Sequence, residues 1–361
     1  MSVVSKEAVG EINPQNVGHL NVNGYAPGGL ELEEEVAGGL KKFAKSAIRS
    51  LSGNISGESF GELVTGVAEY EKDLALYSAQ PFRYAALPGI REEGMRCTAE
   101  GTVRSATMNM RMMRSMFGDQ AFSAIARKPR HHRAVVLSGQ LDEDYEIQVR
   151  GGAGAGTFSI DFGLGTRNQQ SHSYNELWRS GVDTVHAEGR LGTRFIRTGS
   201  GIKHDSDFGG KKTASFKEFR RRYGMLPQRM IGMMGLYFMR ELNPDFAVAL
   251  TSEGATRLST LGRSQGACDY TGIFRNIGFL PSSNRYWQYI PEFNDEGFYD
   301  ALTRAGIRKR EADGLNRAAD AINTASNVDG TVFPIKLCSD ESPETLRREL
   351  SVHMPKPALA Y

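Results

Sequence analysis

Two spacings of apolar residues divide the chain. Between Glu31 and Leu51, apolar side chains recur at Leu32, Val36, Leu40, Phe43, Ala47 and Leu51, the three-to-four-residue interval of one face of an amphipathic helix. Glu31, Glu33, Glu34 and Glu35 open this segment, and Lys41, Lys42, Lys45 and Arg49 fall toward its end, an order that suits the helix dipole. We expect the apolar face to pack into a core. A membrane-surface helix with a lysine face is the alternative, and Gly38-Gly39 counts against it. Phe60, Leu63, Val64, Val67, Leu74 and Tyr77 mark a second helical face, and Thr102 to Phe117 a third.

After Pro129 the period changes to two. Ala134 to Leu137, Tyr145 to Val149, Thr157 to Phe162, Val182 to Glu188 and Thr193 to Thr198 read as short strands separated by Gly-rich or Asp-rich turns, an antiparallel meander. The run Gly151 to Gly156 lies between two of them and reads as a flexible hairpin loop, since a nucleotide cradle needs a helix to follow. A helix over Gln228 to Leu242 and a strand over Phe246 to Thr251 then imply a right-handed crossover. Asp269 to Ile277 predicts a further helix, Tyr286 to Ile290 a closing aromatic strand, and Phe298 to Leu302 and Leu315 to Ile322 the last helices. The fold class that results is mixed α/β (α+β): a meander, then a β-α-β unit, preceded by a helical region. Residues 1–29 read as a disordered tail, with a secretion signal as the alternative. Residues 30–128 form the helical region, 129–326 the α/β domain, and 327–361 a loose tail.

Composition narrows the partners. The 361 residues are 40% hydrophobic and 24% charged, as in an ordinary globule. With 44 basic and 42 acidic residues, no overall field attracts nucleic acid. Cys97, Cys268 and Cys338 are odd in number and widely spaced, which suggests neither a disulfide framework nor a metal site. No stretch has the roughly 18 consecutive apolar residues of a membrane span, and the N-terminus lacks a secretory apolar core. A cytoplasmic location is expected, with peripheral membrane contact or export through the N-terminus left open.

The candidate chemistry centres on Arg221-Arg222-Tyr223-Gly224-Met225-Leu226-Pro227, which opens the Gln228 to Leu242 helix. A basic, glycine-containing turn before a helix directs N–H groups and the positive helix end at one spot, an arrangement suited to phosphate. Arg221, Arg222, Gly224, Met225 and Arg229 are the expected binding residues. His186 and Glu188, two apart on one strand, share a face and are candidates for a general base; exposed strand residues are the alternative. His131-His132 lie in a basic stretch that reads as a solvated linker. The methionines at 108, 110, 112, 113 and 116, and at 225, 230, 233, 234 and 239, are expected to fill core, with an acyl-chain groove as the alternative.

Several words carry a resemblance. The stretch Leu191 to Gly201, then Tyr223-Gly224-Met225-Leu226-Pro227-Gln228-Arg229, then Asp269-Tyr270 with Phe274, resembles the bacterial VirK/YbjX family over about Arg91 to Ile322. In addition, Arg221-x-x-Gly224-x-Leu226 and Ile273-Phe274-Arg275-Asn276-Ile277-Gly278-Phe279 are similar to two signatures of the GNAT-like N-acyltransferase superfamily. That likeness implies a GNAT-like mixed sheet and a coenzyme A pyrophosphate held at the turn. It also implies acyl-CoA or an acyl carrier protein as co-substrate, with no tightly bound cofactor. Leu226 replaces the superfamily's small residue, Pro227 removes a donor, and Phe274 stands where a tyrosine acid is usual, so Tyr270, one turn earlier, becomes the candidate acid. The VirK/YbjX resemblance implies instead an accessory role in virulence, envelope maintenance or antimicrobial-peptide resistance.

Overall fold

The computed structural model describes residues 11–13, 15, 19–25, 31, 33–50, 53–68, 100, 134–154, 157–167, 174–187, 190–199, 209–241, 244–258, 269–283 and 285–327. The chain divides into two compact units. One takes in Met1–Ala134, Gly151–Ile160 and Asp183–Gly192; the other takes in Val135–Arg150, Asp161–Val182 and Thr193–Tyr361.

In the first unit, strand β1 (Glu11–Ile12) pairs antiparallel with β2 (Ile55–Ser56), Ile12 opposite Ile55. The unit's N-terminal stretch also holds a 3-10 turn (Val22–Tyr25) and helices α1 (Glu34–Ser50) and α2 (Gly57–Ala68). Ile12, Leu20, Val22, Leu40, Ile48, Phe60, Leu63 and Val64 are buried, and the Tyr25 ring meets Phe60 edge-on at 4.9 Å. Within the stretch read as a tail, Glu11–Ile12 form a strand and Val22–Tyr25 a 3-10 turn. Three isolated apolar side chains anchor them, and isolated residues have no period to recognise. Leu40 of α1 is buried, as expected, and so is Ile48, which lies outside the expected face. The Glu100 carboxylate accepts from the Ser56 amide (2.8 Å) and hydroxyl (2.9 Å) and from the Ser59 hydroxyl.

The architecture is mixed α/β, built on a large, mostly antiparallel sheet. Among the described residues it has nine strands in the order β11-β3-β4-β5-β6-β7-β8-β10-β9. Strands β3 (Ala134–Gln140), β4 (Tyr145–Gly154), β5 (Thr157–Arg167), β6 (Tyr174–Ala187) and β7 (Arg190–Gly199) follow one another in space as in sequence, and their short connections fix an antiparallel meander. Gly151 to Gly154, expected in a loop, continue β4. From β7 the chain runs through α3 (Gly209–Tyr223) and α4 (Pro227–Glu241) to β8 (Phe246–Leu250), the next strand of the sheet. After α5 (Ser252–Leu258), α6 (Tyr270–Arg275) and β9 (Leu280–Pro281), strand β10 (Trp287–Ile290) pairs antiparallel with both β8 and β9. Helices α7 (Asp295–Ala305) and α8 (Lys309–Asn323) lead to β11 (Ser326–Asn327), which pairs with β3.

The second unit's core lies between the sheet and α3 and α4. Phe219 of α3 packs edge-on against Tyr145 at 5.0 Å, and Phe238 of α4 approaches Phe162 at 5.4 Å. Met225, Met230, Met233, Met234 and Met239 are all buried, so this methionine group fills core; the group at 108–116 lies outside the described residues. Gly235 lets α4 approach the sheet: a Cβ there would fall 2.7 Å from the Phe195 ring. Helix α8 makes two such approaches. A Cβ on Gly139 would fall 2.0 Å from the Ala321 carbonyl oxygen, and one on Gly314 would fall 2.4 Å from that of Tyr223.

Candidate functional site

Helix α3 ends in Arg220, Arg221 and Arg222, cations that favour the negative end of a helix dipole. Gly224 stops the helix with φ +78°, the left-handed conformation that glycine adopts without penalty. Its N–H donates to the Arg220 carbonyl at 2.9 Å. Met225 then turns inward, and Pro227 starts α4 at a position where its missing donor costs nothing. The Leu226 carbonyl accepts from the amides of Arg229 and Met230, both at 3.1 Å. The turn therefore joins the negative end of one helix to the positive end of the next, and the two partial charges oppose each other. Arg310 of α8 lies over it. A Cβ on Gly224 would meet Arg310 Cγ at 2.9 Å, and the Arg310 guanidinium donates to the Arg221 carbonyl.

The expected phosphate-binding cations all hold protein partners. Arg221, with its side chain 73% exposed, pairs with Glu218 at 2.6 Å. Arg222 pairs with Glu218 (2.8 Å), Asp142 (3.1 Å) and Asp144 (2.7 Å). Hydrogen bonds from Arg221 and Arg222 draw the Glu218 carboxyl down to about 2. Arg229 donates to the carbonyls of Asn276 (2.5 Å) and Ala305 (2.7 Å) and pairs with Glu311 (3.2 Å). Tyr270 opens α6 at the end opposite Asn276, is 3% exposed, and offers its carbonyl to Gln288 at 3.4 Å. Phe274 is buried against Phe195 (4.9 Å) and Phe279 (5.6 Å). The structure thus groups Arg221, Arg222, Gly224, Met225 and Arg229 around one turn of the second unit. His186 lies in β6, within the segment assigned to the first unit, and Glu188 lies outside the described residues.

Two groups of polar residues here escaped the sequence reading. In the first, Tyr223 donates to the Asp142 carboxylate, which also accepts from the amides of Asp144 (2.8 Å) and Tyr145 (2.9 Å). Partial burial raises the Asp142 carboxyl, but the hydrogen bonds from Tyr223, these amides and Arg222 outweigh it and hold the group below its ordinary value. A depressed carboxylate stabilises the fold above its unfolded pKa and loses that contribution as pH falls through the folded one. Asp142→Asn should therefore cost about 1 kcal/mol at neutral pH, and the difference should begin to shrink below about pH 4 and vanish only once pH has fallen through the lowered folded pKa. Urea denaturation of both proteins across pH checks this; a pH-independent difference would assign the loss to packing.

The second group runs across the sheet. Glu146 accepts from Ser138 (2.5 Å) and Gln148 (2.7 Å); Arg150 donates to Gln148 (2.9 Å) and to Glu176 (2.7 Å). The Arg150 guanidinium also lies 4.7 Å from the Tyr174 ring centre, over space that Gly163 and Gly165 leave open. Glu146 and Gln148 are buried, and the hydrogen bonds they make are what buried polar and charged groups require. Strand alternation was the one signal for this array, and it is the same alternation that a solvent-facing edge would show.

Among the described residues no cluster of three or more His, Cys, Asp or Glu is placed to hold a metal ion, and no helix is long and apolar enough to cross a membrane. No family model, curated protein or solved structure matches the chain.

Proposed function

We propose that the protein is a non-catalytic accessory protein on an acyltransferase-type α/β scaffold, the role implied by the VirK/YbjX resemblance in virulence, envelope maintenance or antimicrobial-peptide resistance. One observation carries this reading. The Gly224 amide is spent on the Arg220 carbonyl and its open side is covered by Arg310, where a coenzyme A pyrophosphate needs free amides and a bare backbone. The buried Phe274, in place of an acid, supports the same conclusion.

The placement of the turn favours a second reading. It opens α4 on the path between β7 and β8, neighbours in the sheet, where the GNAT-like arrangement holds acyl-CoA. On that reading Arg221, Arg222, Gly224, Met225 and Arg229 hold the cofactor-like co-substrate, acyl-CoA or an acyl carrier. A general base then takes the acceptor's proton, and Tyr270 returns one to the leaving thiolate. Isothermal titration with coenzyme A and short- and long-chain acyl-CoA esters separates the two readings. We expect no saturable heat. Saturable heat that is lost in the Arg221→Ala, Gly224→Trp double variant would restore the acyltransferase.

A further inference from the structure

The surface around the same turn is strongly and locally basic. Residues 217–229, 275 and 303–313 hold ten Arg and Lys against three acids, with Asp142 and Asp144 also set against Arg222, although the whole chain carries only +2. These segments are contiguous. Arg310 touches the Arg221 carbonyl and Gly224. Arg229 ties the start of α4 to Asn276, beside Arg275, and to Ala305, beside Arg304. The acids are largely taken up: Glu218 by Arg221 and Arg222, Asp142 and Asp144 by Arg222, and Glu311 by Arg229. Arg220, Arg275, Arg308, Lys309 and Arg310 are exposed. On the turn itself lies Leu226, the exposed large hydrophobic residue among the described ones, at 39%.

We infer that this face docks on an anionic phospholipid bilayer, with the cations at headgroup level and Leu226 entering the acyl boundary. Charge alone would suit any polyanion. An apolar side chain set among cations discriminates, because a bilayer rewards its burial directly, whereas a duplex takes a leucine only as a wedge at the cost of unstacking base steps. The inference is independent of whether the protein catalyses a reaction, since neither the titration nor its outcome bears on a vesicle surface.

The test is sedimentation of the full chain with phosphatidylcholine vesicles, with and without phosphatidylglycerol. Binding is expected only to vesicles that contain phosphatidylglycerol, and it should be lost at roughly 0.5 M salt, where the screening length falls to a few ångström. Lys309→Glu and Arg308→Glu should each weaken partitioning at least about fivefold, and Leu226→Asp roughly tenfold, with unchanged circular dichroism. The unmodified protein keeps the test decisive if a variant misfolds. Failure to sediment at low salt, or equal sedimentation with pure phosphatidylcholine, overturns the inference. So does a Leu226→Asp variant that partitions normally while short duplex DNA competes for the same cations, which would assign the face to nucleic acid.

Discussion

Replacing Arg229 with alanine should remove about 3 kcal/mol of stability from the second unit, a loss out of proportion to a single surface-helix position. Its side chain is 17% exposed and that of Glu311 12%, so the pair is mostly shielded from water. Alanine leaves a carboxylate without its partner and removes a donor from the carbonyls of Asn276 and Ala305. Breaking such a pair from one side costs about 3–5 kcal/mol, because the remaining charge stays buried. Lysine should rescue little, since one ammonium cannot reproduce a guanidinium fork that reaches three acceptors. Both tryptophans, Trp178 and Trp287, belong to the second unit and are buried, so their fluorescence during urea unfolding reads the relevant transition. In a cycle with Glu311→Ala, the double variant should lose less than the sum of the singles. A loss below about 1 kcal/mol for Arg229→Ala would mark an exposed, loosely held pair.

Gly278→Ala should be more damaging still, at about 4 kcal/mol, for two separate reasons. The residue has φ +101°, which an L side chain rarely adopts and which costs about 1–3 kcal/mol. A Cβ there would also lie 2.2 Å from the Ala301 carbonyl oxygen of α7, so helix and loop must part, with the further loss of about 1–3 kcal/mol typical of overpacking. Gly306 supplies the control. Its φ is +61° and nothing lies within 4 Å of the point a Cβ would occupy, so Gly306→Ala should cost only about 1 kcal/mol. Thermal melts followed by tryptophan fluorescence compare the two. Equal losses would show that backbone conformation alone governs both sites.

Local pattern made much of this second unit readable. The five-residue strand β8 is buried throughout, and continuous apolar runs of that length signal buried strands. The α4 helix was legible from its apolar content and from Pro227. The α3 helix was not, because its first third is Gly-Gly-Lys-Lys-Thr, which mimics a loop; Phe216, Phe219 and Tyr223, at intervals of three and four, were the available sign. That omission shaped the site. With α3 unseen, Arg221 and Arg222 looked like a free basic turn, when they are the last turn of a helix whose end Gly224 caps. Their partners were equally hidden. Asp142 lies 80 positions from Arg222, and Glu311 lies 82 from Arg229, and no local period relates residues so far apart. The array from Glu146 to Glu176 shows the limit of alternation: it places polar residues on one face of a strand and cannot tell whether other parts of the chain cover that face.

The two ends of the sheet have a consequence for how the protein behaves when crowded. Both outermost described strands, β9 and β11, are two residues long, and β9 carries Pro281, which has no amide hydrogen to offer a neighbour. Among the described residues, strands this short offer an incoming chain few donors and acceptors of their own, a feature that disfavours edge-to-edge pairing of copies at these two positions.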